Sequence, residues 1–416
     1  MVRVEKIIPG GQALGTMPDG KKIFFWNALP GEEVISCDIT KNKSNFTEAI
    51  ATEISHPSLF RVEPKDVCFL STSPWQILDY DYELKLKPEL VVEIFREHQI
   101  DIKTPDIITD GKDYYYRNKM EYALYWDNES QEIKLAFHAR GSHRKIPIKK
   151  SSIERPELFK IATEIVAKLN ADHEEARKYQ SLLLRCNQSG EISGGLFENG
   201  HPHPVFQNLT DTLLGHEYSY SPNGFFQINL PVYELALKEI KKHITTEKVL
   251  DLYAGVGTIG LSVAQGHSLT LVECDRSAYG ELANNAKKAI IAFEEHNRRR
   301  GDYEASEPRD DGSELAFRKS SNSLPEPILA KSEDALAYIA PDQTVIVDPP
   351  RAGCDAKLIN KLNEIKPSTI IYLSCNPATQ ARDVKMLLEN YHIKEIKSFN
   401  FFPHTPHIEN LVVLSL

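Results

Sequence analysis

The chain has 416 residues, 41% hydrophobic and 26% charged, which excludes a disordered, collagen-like or membrane-embedded polypeptide and leaves room for two or three domains. Its net charge of −10 speaks against a protein that coats nucleic acid indiscriminately. Mean hydropathy is −0.37, and neither a bilayer-length apolar run nor a secretory signal is visible, so no membrane partner is expected and cytoplasm is the expected location.

From the N-terminus, strand-like segments Val2–Ile8, Lys22–Trp26, Glu33–Ile39 and Ala49–Ile54 alternate with Pro/Gly turns, which predicts a small antiparallel barrel over residues 1–60. A helical spacing of apolar residues follows over Tyr82–Glu97. Alternation returns between Tyr114 and Pro147, and a second helix is predicted over Pro156–Leu169. Residues 61–220 are thus expected to form a central α+β domain, with part of the helix near 82–110 free to pack on what comes after. Within it Lys134, Arg140, Arg144, Lys145, Lys149 and Lys150 form a basic stretch without a carboxylate, a candidate phosphate contact.

Strands and helices alternate in the last domain, 221–416, as in a parallel doubly wound sheet. The strands expected are Val249–Leu252, Leu269–Glu273, Thr344–Val347 and Thr369–Ser374, with an antiparallel pair near Ile393–Phe401 and Asn410–Leu416. Glu294–Leu324, charged and poor in apolar residues, reads as a mobile surface insertion.

Three segments carry chemistry. DLYAGVGTIG (251–260) places Gly255, Gly257 and Gly260 between a strand and a helix, a turn that suits a nucleotide-like cofactor. Asp251 would repel a diphosphate but suits the cationic methionine end of S-adenosylmethionine, and Glu273 suits its ribose hydroxyls. VIVDPPR (345–351) holds Asp348 at a strand end followed by two prolines. In YLSCNP, Cys375 ends a strand just before Asn376, an expected N-cap, and Pro377, an expected first helical residue; a helix N-terminus would lower the thiol pKa and make a nucleophile. Glu409, before the last strand, is a candidate base whose pKa burial would raise. The nearby His404 and His407, like His201 and His203, have no third ligand at suggestive spacing, and the six cysteines form no Cys-x-x-Cys pair, so no metal site is expected.

SPNGFFQIN (221–229), DLYAGVGTIGL (251–261), LVECD (271–275), VDPPRAG (347–353), YLSCNP (372–377) and PHTPHIE (403–409) together resemble the RNA uracil-5-methyltransferase family, whose members make 5-methyluridine in tRNA or ribosomal RNA. The first 60 residues resemble the OB-like TRAM barrel many of these enzymes carry, and YRNKMEYAL (116–124) and FHARGSH (137–143) resemble their central domain. The resemblance implies a class I methyltransferase Rossmann-like sheet at the C-terminus. It also implies that Gln227, Tyr253, Glu273 and Asp348 contact S-adenosylmethionine, that Cys375 is the nucleophile and that Glu409 is the base. RNA is the implied partner, and a monomer the default state.

Two departures stand out. Many ribosomal-RNA members hold a four-cysteine iron–sulfur cluster. Here Cys68 stands alone before STSPW, and the position expected after the basic stretch reads Lys150-Ser151-Ser152, so no cluster is expected. In LAKSEDAL (329–336), Lys331 stands where an Asn or Asp near the adenine is expected. The alternatives are a non-catalytic RNA-binding or RNA-folding protein with the same fold, a nicotinamide-dependent oxidoreductase and an amino-group methyltransferase; only the reading of Cys375 as nucleophile and Glu409 as base uses both residues.

Overall fold

The computed structural model describes residues 1–172, 178–198, 200–204, 206–300 and 324–416. Strands β1 (Val2–Ile7), β2 (Ala13–Thr16), β3 (Lys22–Trp26), β4 (Glu33–Asn42) and β5 (Phe46–Ser55) close a barrel in the order β1-β2-β3-β5-β4. Its inward residues, among them Val4, Ile23, Phe25, Val34 and Ala49, form a small core of their own. The barrel is not wholly antiparallel as the turn pattern predicts, because β5 runs parallel to β3. The chain leaves β3 for the far side of the barrel, where β4 pairs with β1, and returns as β5 beside β3.

After a single turn of helix, α1 (Phe69–Thr72), helix α2 covers Tyr80–Glu97, two residues longer at its start than the apolar spacing suggests because Asp79 caps it by accepting from Tyr82 N (3.0 Å). The central sheet joins β7 (Lys119–Asp127), β8 (Glu132–His138), β9 (Lys145–Pro147), β10 (Tyr179–Cys186), β11 (Ile192–Glu198) and β12 (His201–His203) in the order β12-β11-β10-β7-β8-β9. Helix α3 (Pro156–Ala171) covers one face through Leu158, Ala162 and Val166. The preceding short strand, β6 (Asp106–Ile108), belongs elsewhere: it pairs in parallel with β20 (His392–Phe399) at the edge of the C-terminal sheet.

That sheet has eight strands in the order β17-β16-β15-β18-β19-β21-β20-β6. A two-stranded ribbon, β13 (Leu209–Leu213) and β14 (His216–Tyr220), and helix α4 (Leu230–Lys241) lead into it. Strands β15 (Lys248–Leu252), β16 (Ser268–Glu273), β17 (Glu326–Leu329), β18 (Gln343–Val347) and β19 (Thr369–Ser374) are parallel; β21 (Glu409–Ser415) runs antiparallel between β19 and β20. Helices α5 (Thr258–Val263), α6 (Arg276–Arg300), α7 (Ala356–Ile365) and α8 (Pro377–Leu387) and α2 cover its faces. Apolar side chains on both faces explain why these strands read as unbroken apolar runs. The predicted insertion 294–324 begins as the last turns of α6, and 301–323 lie outside the described residues.

The Ser152 backbone N–H and hydroxyl both donate to the Asp66 carboxylate (3.0 and 2.8 Å), which also accepts from Gln76 Nε2 (2.9 Å), while Cys68 is buried among apolar side chains. Among the described residues no group of three or more His, Cys, Asp or Glu side chains is arranged to hold a metal, and no helix is long and apolar enough to cross a membrane.

Candidate active site

The site forms at the carboxyl ends of the parallel strands, where helices and loops on the two sides of the sheet diverge. On the β15 side, Gly260 N donates to Asp251 Oδ2 (2.8 Å), and a Cβ on Gly260 would lie 2.7 Å from that oxygen, so the turn requires glycine there. Asp251 is buried, its Oδ1 has no partner among the described residues, and burial raises its pKa to about 8. Tyr253 takes a left-handed backbone (φ 62°) at the tip of the strand.

Glu273, at the end of β16, accepts from Gly255 N (2.8 Å), Cys274 N (2.7 Å) and Asp275 N (2.6 Å), which fixes its carboxylate and leaves one lone pair on Oε2 for a hydroxyl. The side-chain amide of Gln227 has no protein partner among the described residues. Its backbone is held by the central sheet: Arg185 Nη2 donates to the Gln227 and Phe226 carbonyls (2.9 and 2.6 Å), and Asn118 Nδ2 to the Gln227 carbonyl (3.3 Å). An orphaned buried carboxylate oxygen, a free amide and a fixed carboxylate suit a cofactor with cationic and hydroxyl groups.

Lys331 is largely exposed and lies 4.0 Å from Glu333. The neighbouring Ser332 is the residue that turns inward, buried and hydrogen-bonded to the Tyr253 hydroxyl. Ser332 opens a 3-10 turn over Ser332–Asp334.

The second half of the site comes from β18, β19 and β21. Asp348, Cys375 and Glu409 end or begin these three adjacent strands and are brought together there. Glu409 is buried, and burial followed by the nearby Asp348 charge raises its pKa well above the ordinary range. Burial lifts Asp348 to about 7. Arg351 touches the Cys375 thiol and partly offsets the charge at Glu409.

The helix grammar around Cys375 is as the sequence suggests: Asn376 caps α8 by accepting from Ala378 N (3.3 Å), and Pro377 opens it. The expected consequence is not. The Cys375 pKa is pushed up to about 11, first by burial and then by Glu409 and Asp348, with only Arg351 opposing. The Asn376 side chain already caps the helix terminus, and burial, followed by the neighbouring carboxyl groups, governs the thiol's ionisation.

The basic stretch is only partly free. The Arg140 guanidinium lies over Trp26 of the barrel (4.1 Å to the ring) and its Nε donates to the Leu70 carbonyl; Lys145 Nζ donates to the Leu124 carbonyl (2.8 Å), and Lys134 pairs with Asp127. Arg144, Lys149 and Lys150 have no side-chain partner among the described residues. His404 is buried between Glu83 and Asp113, and His407 packs edge-on against Phe402.

Residues 337–416 match the family model described as tRNA (uracil-5-)-methyltransferase. An uncharacterized RNA methyltransferase of Bacillus anthracis is 26% identical, covering 100% of this chain and 96% of its own length. One of Lactiplantibacillus plantarum is 29% identical, covering 95% and 93%. The crystal structure of Pyrococcus abyssi tRNA (uracil-54, C5)-methyltransferase in complex with S-adenosyl-L-homocysteine superposes with a TM-score of 0.72 at 22% identity over 100% of both chains, a likeness of fold.

Proposed function

We propose that this chain, an S-adenosylmethionine-dependent enzyme of the RNA uracil-5-methyltransferase family, methylates C5 of one uridine in a structured tRNA or ribosomal RNA by way of a covalent Cys375–C6 adduct. One observation supports it most: a thiol and a buried, high-pKa carboxyl stand together beside a turn that suits the methyl donor.

Uracil C5 is a poor nucleophile until C6 is saturated. The Cys375 thiol loses its proton to solvent as its sulfur bonds to C6, and the ring electrons move to an enolate whose C5 becomes nucleophilic. S-adenosylmethionine supplies the methyl group from its sulfonium. Glu409 then takes the C5 proton, the electron pair re-forms the C5–C6 double bond, and the Cys375–C6 bond breaks. The raised pKa of Glu409 makes its carboxylate a stronger base than an ordinary Glu. Gln227, Asp251, Tyr253, Glu273 and Asp348 hold the donor: the carboxyls of Asp251 and Asp348 face its cationic end and Glu273 its ribose.

C5 and C6 are inaccessible inside a stack, so the target base must be extruded. On this reading Arg144, Lys149 and Lys150, whose side chains have no partner among the described residues, meet the RNA backbone, and the barrel supplies a second RNA-binding surface.

The test is transfer of labelled methyl from S-adenosylmethionine to unmodified tRNA and ribosomal RNA in parallel, with Cys375→Ala as control and nucleoside analysis of the product. Label in 5-methyluridine of one RNA, absent with the variant, is the expected result. Cofactor binding without transfer to either RNA would favour a non-catalytic RNA-folding role.

A further inference from the structure

Helix α2, far from the catalytic residues in sequence, carries a charge pair that the chemistry above does not use. Glu83 and Lys87 lie one helical turn apart, 2.8 Å from each other, and both side chains are wholly buried. Such a pair contributes little net stability, because the cost of removing two charges from water offsets their attraction. What it supplies is direction. Lys87 Nζ donates to Glu83, to Asn400 Oδ1 (2.6 Å) and to the Phe402 carbonyl (3.1 Å), which occupies all three of its protons. Glu83 accepts from His404 N (2.9 Å) and Asn400 Nδ2 (3.2 Å).

The segment caught in this way, Asn400 to His404, begins the connection from β20 to Glu409, the first residue of β21. The same connection is held from two other sides. The Tyr116 hydroxyl donates to the Pro403 carbonyl (3.1 Å), and Trp75 N donates to the His404 carbonyl (3.0 Å) while its ring N–H reaches the Gly11 carbonyl in the barrel (3.0 Å). Cys375 is fixed independently, through Asn376 Nδ2 donating to the Arg351 carbonyl (2.8 Å). One half of the reaction centre thus rests on α2 and the other on the α8 cap.

We propose that the buried Glu83–Lys87 pair is a positioning device for Glu409, setting the carboxylate against C5 and thereby controlling proton abstraction rather than thiol addition or methyl transfer. This rests on the role of Glu409 proposed above.

The experiment uses the full chain with its RNA and labelled S-adenosylmethionine in a single turnover, quenched in denaturant, so that methylated RNA still bonded to protein is separated from released product. The double variant Glu83→Gln/Lys87→Met removes both charges and keeps side-chain length. Expected is adduct formation within about 3-fold of the parent and adduct decay slowed at least 10-fold, so that bonded RNA accumulates; formation and decay slowed together, or neither slowed, overturns the proposal. Tyr116→Phe, which removes one hydroxyl from another side of the loop, is the gentler variant should the double variant misfold, and the same split at about 3-fold is expected from it. Glu409→Gln separates the two ideas. Adduct accumulation there, without accumulation in the α2 variant, refutes the positioning role alone; no accumulation with Glu409→Gln refutes the base assignment.

Discussion

The carboxyl of Glu409 is buried beside that of Asp348, and after burial itself the Asp348 charge is what lifts Glu409 furthest above its ordinary range. Two acids this close resist ionising together. Decay of the methylated Cys375 adduct in a single turnover at saturating cofactor is expected to speed up as pH rises and Glu409 gains its basic form. Asp348→Asn removes the neighbouring charge and should move that limb to lower pH, while weakening cofactor binding. A limb at the same pH in the variant would show that the two carboxyls do not interact.

A different measurement reads Asp251. Its pKa is about 8 in the folded protein against an ordinary 3.8, so the folded state holds a proton that the unfolded chain has released. The sign follows: this contribution to stability is complete below about pH 4 and is lost as pH rises toward 8, at no more than about 1.4 kcal/mol per pH unit. Asp348 and Glu154, each raised to about 7, act in the same direction. Asp251→Asn keeps an acceptor for Gly260 N and should flatten the decline in urea-unfolding free energy between pH 6 and 8.5. An unchanged slope would mean that Asp251 is ionised in the folded protein.

For Cys375, a pKa near 11 predicts slow alkylation at pH 7 in the cofactor-free protein, with a rate that climbs steadily to pH 10, followed on the Cys375 peptide by mass spectrometry. Arg351→Met should slow it further at any given pH. Cys375→Ala should lower methyl transfer by on the order of 10³-fold or more and abolish the adduct. A plateau in alkylation below pH 8 would contradict the inhibitory effect of the neighbouring carboxyls.

RNA affinity should distinguish free from engaged cations. Arg144→Ala is expected to reduce the slope of log affinity against log salt by about one, whereas Lys134→Ala, whose ammonium is already paired with Asp127, should leave it nearly unchanged. Equal slopes for the two variants would remove the backbone-contact role of Arg144.

The parallel strands were legible because burial on both faces makes β15, β18 and β19 continuous apolar runs, and the Ser-Cys-Asn-Pro segment because strand end, cap and first helical residue have strong local preferences. Charges were not legible in the same way. The burial of Glu83 and Lys87 depends in large part on contacts with residues more than 300 positions away, which no local pattern shows. Arg140 reads as a phosphate ligand until Trp26 and the Leu70 carbonyl arrive from the barrel side. Cys375 was given an activating environment because its helix is adjacent in sequence, whereas the carboxyls that oppose ionisation come from two other strands. The ribbon and strands between Tyr179 and Tyr220 escaped notice because glycines and polar residues interrupt their alternation.

The position of β21 ties competence to completeness. This strand follows every other strand in the sequence yet lies between β19 and β20, so until it is inserted both neighbours present open edges and the sheet is divided in two. Its first residue is Glu409. On the mechanism proposed above, a chain that has not closed its sheet would have no carboxylate in place to remove the C5 proton, so folding and turnover would depend on the same strand.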